Sequence, residues 1–110
     1  MRLPNADRAV LDIGKLENYC LDETHPLGRH KARVFRSALG VGVVDARWLR
    51  EAILRGILVA EAQPLESDRF GTRYGVDLLL QRQGREAMVR TAWILAEPAN
   101  LPRFVTCWVL

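Results

Sequence analysis

The chain has 110 residues, 49% of them hydrophobic, and a formal net charge of +3 from 16 Lys and Arg against 13 Asp and Glu. That length predicts a single domain, 1–110, with a real but small core that a partner protein would extend. The mild basic excess permits nucleic acid as a partner without requiring it, and no apolar run or signal peptide predicts a membrane segment.

The first twelve residues carry Pro4, Asn5, Ala6 and Asp7 and then a short apolar run, Ala9-Val10-Leu11. Residues 13–21 read as a short helix with Leu16, Tyr19 and Cys20 near one face, broken by Asp22-Glu23-Thr24-His25-Pro26. A second helix is predicted from Gly28 to Leu39, ended by Gly40 as a C-terminal cap. Asp45 reads as the N-cap of a third helix through Arg55, with Ala46, Leu49, Ala52 and Ile53 inward and Gly56 as its stop. Residues 1–56 thus form a helical part, and 57–110 a sheet part in which the apolar period changes from 3.6 to 2.

In that sheet part, 57–63 reads as a strand and 64–71 as a loop. Residues 73–81 alternate Tyr74, Val76, Leu78 and Leu80 against Arg73, Gly75 and Asp77. Gln83-Gly84 marks a hairpin turn, and 86–96 alternates Ala87, Val89, Thr91, Trp93 and Leu95 against Glu86, Met88 and Arg90. After a loop from Pro98 to Pro102, residues 104–110 are apolar on both faces and read as a central strand. Helices followed by strands predict an α+β fold, N-terminal helices packed on a four-stranded antiparallel sheet. Phe35, Leu39, Leu49, Ile53, Val76, Leu78, Val89 and Trp93 are its predicted core.

The least ordinary residue is Lys31. At 100° per residue, Ala32, Val34, Phe35, Ala38 and Leu39 share one side of the second helix, and Arg29, Arg33 and Arg36 the other. Lys31 falls between Ala38 and Phe35, inside the apolar arc. It must snorkel outward, find a buried partner, or line a site. His25 stands at the positive end of the same helix, where anions are favoured. With Tyr74 and Thr91 on the inward sheet faces, these residues suit metal-independent phosphodiester cleavage. Histidine moves protons near neutral pH, and a cation stabilises charge on phosphorus. RNA supplies its own nucleophile, the 2′-hydroxyl. The ordinary alternatives are a loop histidine, a snorkelling lysine, packing residues in Tyr74 and Thr91, a solvated arginine stripe, and an Arg90–Asp77 cross-strand pair.

Cys20 and Cys107 are the only cysteines. With no CxxC pair and no zinc spacing, no metal or other cofactor is expected. Both thiols are expected to be reduced and apart, as in a reducing cytoplasm.

Certain residues carry a resemblance. These are Lys15-Leu16 with Tyr19, His25-Pro26 with Gly28 and Lys31-Ala32, Phe35 with Leu39-Gly40, and Trp48-Leu49. Further matches are Gly71 with Tyr74-Gly75-Val76-Asp77, Arg90-Thr91-Ala92-Trp93-Ile94, and Pro102-Arg103 with Val105-Thr106. Through them the chain resembles, nearly end to end, an uncharacterised family of small bacterial proteins named only as a domain of unknown function, here with an HPxGxxKA motif. More loosely, helices before a four-stranded antiparallel sheet look like the barnase- and RelE-like ribonuclease toxins. Members of that group often use His, Lys, Arg, Tyr and Thr without metal.

The expected function is therefore a toxin-like, metal-independent endoribonuclease domain in the cytoplasm, neutralised by a small partner protein. His25 is its acid or base, Lys31 stabilises phosphate, Tyr74 and Thr91 orient it, and Arg29, His30, Arg33 and Arg103 hold the RNA backbone. The alternative is a non-catalytic interaction module or accessory subunit, in which Lys31 pairs with a buried acceptor and the helix–sheet interface is filled.

Overall fold

A computed structural model describes residues 1–110. Two α-helices precede four strands: α1 (Arg29–Leu39), α2 (Ala46–Gly56), β1 (Ala62–Asp68), β2 (Gly71–Arg82), β3 (Arg85–Leu95) and β4 (Pro102–Val109). A short π-helical turn, Leu16–Cys20, comes before them. The strands form one antiparallel sheet in the order β1-β2-β3-β4.

α1 ends as its sequence dictates. Gly40 takes the left-handed conformation at φ 66°, and its N–H bonds back to the carbonyl of Arg36. α1 contacts β3 and β4, whereas α2 contacts β2. All eight predicted core residues are buried, within a continuous cluster of 22. Val34 is the exception on the apolar arc of α1 and remains largely exposed.

β2 and β3 pair continuously from Thr72 opposite Leu95 to Arg82 opposite Arg85. Gln83 and Gly84, at φ 51° and 80°, make the two-residue turn whose twist matches the strands it joins. On the face away from the core, Arg90 grips Asp77 through both carboxylate oxygens, at 2.8 and 2.9 Å. That guanidinium holds the Asp77 carboxyl below its usual range. The β2–β3 hairpin is clasped to the helical layer by Arg82, which donates to the carbonyl of Gly40 and to Asp45 and lies over the Trp48 ring.

Three expectations are corrected. Residues 57–60 continue as a turn after α2, and the first strand is Ala62–Asp68, which overlaps the predicted strand only at its start and runs on through the segment read as a loop. Ile57 is apolar because it is buried beneath that turn. β1 is an edge strand exposed beyond Ala62, so it shows no apolar alternation and tolerates Pro64. β4 also lies at an edge, not in the centre. Its free side is met by a parallel bridge from Val10 to Arg103 and by Lys15. Asp45 does not cap α2 with its side chain; its carboxylate accepts from the Gly42 N–H at 2.9 Å and pairs with Arg82. As expected, α2 ends at Gly56, where a Cβ would come within 3.0 Å of Leu78.

Leu78 is 4% exposed and packs against this helix end. Leu78→Ala is expected to destabilise the fold by about 2–5 kcal/mol, the range for a leucine deleted from a close-packed core. Urea denaturation of the two proteins checks it; a loss below about 0.5 kcal/mol would mean the site collapses around the smaller side chain.

Candidate functional site

The sequence-predicted site residues do not form one constellation. Thr91 is fully buried. Its hydroxyl donates to the carbonyl of Val76 at 2.8 Å and accepts from the indole N–H of Trp93 at 2.8 Å. Both of its hydrogen-bonding roles are filled inside the core, so it has no access to a substrate. Tyr74 is half-buried on β2 beside Trp93 and packs against the core. These two are packing residues, which corrects the roles expected of them.

His25 has a definite structural task. Its Nδ1 accepts from the backbone N–H groups of Leu27 and Gly28, both at 3.0 Å, and its carbonyl accepts from the Arg29 N–H. It thereby satisfies donors that the start of α1 would leave unpaired. With the Nδ1 lone pair committed, the neutral ring carries its proton on Nε2 and offers it as a donor. In this arrangement His25 is no general base. Its ring meets Tyr19 edge to face, with centroids 4.8 Å apart.

Tyr19 connects α1 to the π-helical turn. Gly28 is buried against it, and a Cβ at Gly28 would stand 2.7 Å from the Tyr19 carbonyl oxygen. Glycine is thus required by a close backbone approach just ahead of α1. From the other side Tyr19 lines an open cleft along β4 together with Lys15, Val105 and Thr106. Lys15 is fixed there by a 2.8 Å hydrogen bond from its Nζ to the Phe104 carbonyl.

Lys31 reaches the same strand from α1. Its ammonium lies 4.8 Å from the centre of the Trp108 ring and forms no salt bridge. A cation over an indole face is held electrostatically by the ring while keeping its charge. Lys31 is half-buried, so neither full burial nor free snorkelling describes it.

Beneath these residues lie the two cysteines, and here the expectation of separated thiols is overturned. Cys20 and Cys107 are both free and buried, and the Cys107 thiol is close enough to act on the Cys20 thiol. Cys20 Sγ also lies 3.7 Å from the Thr106 hydroxyl. The Cys107 thiol and N–H, the Thr106 hydroxyl and the Lys31 charge outweigh burial and lower the Cys20 thiol to about 6. Cys107, donating to Cys20 and buried, is pushed up.

Lys15, Tyr19 and Thr106 thus line the cleft along β4, with Lys31 on Trp108 of the same strand, His25 behind Tyr19 and the two thiols nearby. Of the four residues expected to act on phosphate, His25 meets Tyr19 and Lys31 meets Trp108, whereas Thr91 is buried and Tyr74 packs on the core. The only available signal for the cleft-lining residues was that Lys15, Tyr19 and Thr106 belong to the motifs carrying the resemblance. Of the expected backbone-binding residues, Arg29 is half-buried with Nη1 on the Pro26 carbonyl, while His30 and Arg33 are exposed on α1 and Arg103 on β4. No group of three or more His, Cys, Asp or Glu side chains is placed to hold a metal ion. No helix is long and apolar enough to cross a membrane.

The chain belongs to the family described as Domain of unknown function (DUF6883), whose pattern it matches over residues 2–110. No curated protein and no solved structure matches it.

The thiol pair gives a signed pH dependence. Between about 6 and the ordinary thiol value of 9.0, the folded pair has released a proton that the unfolded chain retains. Stability conferred by the pair should thus rise with pH across this window. It should fall again above 9.0, where unfolding frees Cys107 to ionise. Melting temperatures of wild type and Cys20→Ser, measured in reductant from pH 5 to 10, check this; a difference that does not vary with pH would refute it.

Proposed function

We propose that this domain cleaves RNA without a metal, at the cleft along β4. The observation that carries the reading is a cleft lined by a lysine and two hydroxyl side chains, with a histidine against its tyrosine and a second lysine held on the same strand. Lys15, Tyr19 and Thr106 line it, His25 abuts Tyr19, and Lys31 is held over the neighbouring Trp108. The order of helices before an antiparallel meander supports it by likeness to barnase- and RelE-like ribonucleases, a likeness of architecture alone.

In this reaction the 2′-oxygen attacks the adjacent phosphorus and the P–O5′ bond breaks. The 2′-hydroxyl loses its proton to a water molecule in the open cleft, the departing 5′-oxygen takes one from water, and a 2′,3′-cyclic phosphate remains. Lys31 and Lys15 stabilise the charge that builds on the phosphoryl oxygens. His25 donates a hydrogen bond from Nε2 to the phosphate, and Tyr19 and Thr106 orient it. Arg29, His30, Arg33 and Arg103 hold the flanking backbone. A small inhibitory protein that covers this cleft would restrain the activity in a cytoplasmic setting.

A second reading, a non-catalytic interaction module, draws on the far end of the sheet face that points away from the helices. There Leu79 and Met88 face each other across β2 and β3, with Leu110 beside them, and all three are exposed. Exposed apolar side chains grouped in this way mark surfaces that meet other proteins.

Incubation of purified protein with a single-stranded RNA separates the two readings. Cleavage leaving cyclic phosphate ends is expected, with Lys31→Met reducing the rate about 100-fold or more while the fold is kept, since one positioned charge acting on a transition state has that worth. Intact RNA with the wild-type protein, together with no effect on bacterial growth when it is expressed alone, would reject the enzyme. A loss of stability in Lys31→Met with unchanged cleavage would make Lys31 structural.

A further inference from the structure

We propose that Cys20 and Cys107 form a reversible dithiol–disulfide site, oxidised by hydroperoxides, that ties the Leu16–Cys20 turn to β4. The pair is brought together by the fold from opposite ends of the chain. Cys20 is the last residue of the turn packed on β4, and Cys107 faces it from β4 opposite Thr91. Both are free and buried, Cys20 Sγ lies 3.7 Å from the hydroxyl of Thr106, the residue before Cys107, and no other cysteine exists to compete.

The site also has an attacking and a resolving partner. Lys31, the Thr106 hydroxyl and the Cys107 thiol all favour a thiolate on Cys20. A thiolate is the form that attacks a peroxide. Cys107 keeps its proton. The route inward is short, because Thr106 lines the open cleft and its hydroxyl lies 3.7 Å from Cys20 Sγ.

Cys20 thiolate attacks the terminal oxygen of a hydroperoxide, the O–O bond breaks, and Cys20 becomes a sulfenic acid while an alcohol or water leaves. Cys107 then attacks that sulfur, a disulfide forms, and the hydroxyl departs as water with the Cys107 proton. Two thiols lose two electrons in all, and the peroxide gains them. A dithiol reductant reverses the process by exchange. None of this chemistry requires RNA cleavage, so its success or failure is read separately from that activity.

The test exposes the wild-type protein to hydrogen peroxide at equimolar amount, then denatures it in an alkylating agent and weighs it. Loss of both alkylation sites, with a monomer lighter by two hydrogen atoms and restored by dithiothreitol, is expected. Cys107→Ser should instead stop at a sulfenic acid on Cys20 that dimedone captures, and Cys20→Ala should leave Cys107 unmodified. Wild-type protein that still alkylates at both cysteines, or that carries sulfinic acid on Cys20 beside a free Cys107, overturns the proposal. These wild-type outcomes hold whether or not either variant folds.

Discussion

The fold is organised around one buried hydrogen-bonded chain at the centre of the sheet. The Trp93 indole N–H reaches the Thr91 hydroxyl, which in turn reaches the Val76 carbonyl on the neighbouring strand. Trp93 is the largest fully buried side chain, and Phe104 meets it edge to face with centroids 5.4 Å apart. An indole N–H left unpaired there would cost about 1–3 kcal/mol, so Trp93 can occupy the core only because Thr91 stands two residues earlier on the same face. The core carries no unpartnered buried side-chain nitrogen or oxygen. The position of β4, and with it the candidate site, follows from how Phe104 seats against Trp93.

The cleft shows how structural and chemical tasks share residues. His25 satisfies the beginning of α1 with one ring nitrogen and leaves the other free to donate. Lys15 fastens β4 through a single bond to Phe104 and still has hydrogens to offer. Lys31 keeps its charge by resting on an indole, not on a carboxylate that would neutralise it. A purely structural lysine would gain more from a carboxylate partner. Four carboxylates do pair with arginines elsewhere, among them Asp45 with Arg82 and Asp77 with Arg90.

Local features were legible in the sequence. The α1 register, its glycine end, the Gln83-Gly84 turn and the alternating β2 and β3 strands each depend on neighbours a few residues apart. β1 was missed because an exposed edge strand has no apolar face to display, and β4 was misplaced because its outer residues are apolar for a different reason. Trp108 there receives Lys31 and does not face another strand. Thr91 and Thr106 were indistinguishable by composition. Only the packing of the Leu16–Cys20 turn on β4 makes one a core residue and the other part of a cleft. The adjacency of the two cysteines has the same origin, since they are separated by nearly the whole chain.

That long-range closure has a kinetic side. β2 and β3 are joined by a two-residue turn, so their pairing needs little loop entropy and can form early. The Val10–Arg103 bridge and the contact of Cys20 with Thr106 close loops spanning most of the sequence. Both closures need β4 in place, and Leu11, Leu16, Cys20 and Leu21 then lock the N-terminal segment into the same core. The cleft along β4 is thus tied to the core by the chain's most distant contacts, and native-state hydrogen exchange would read how late it forms.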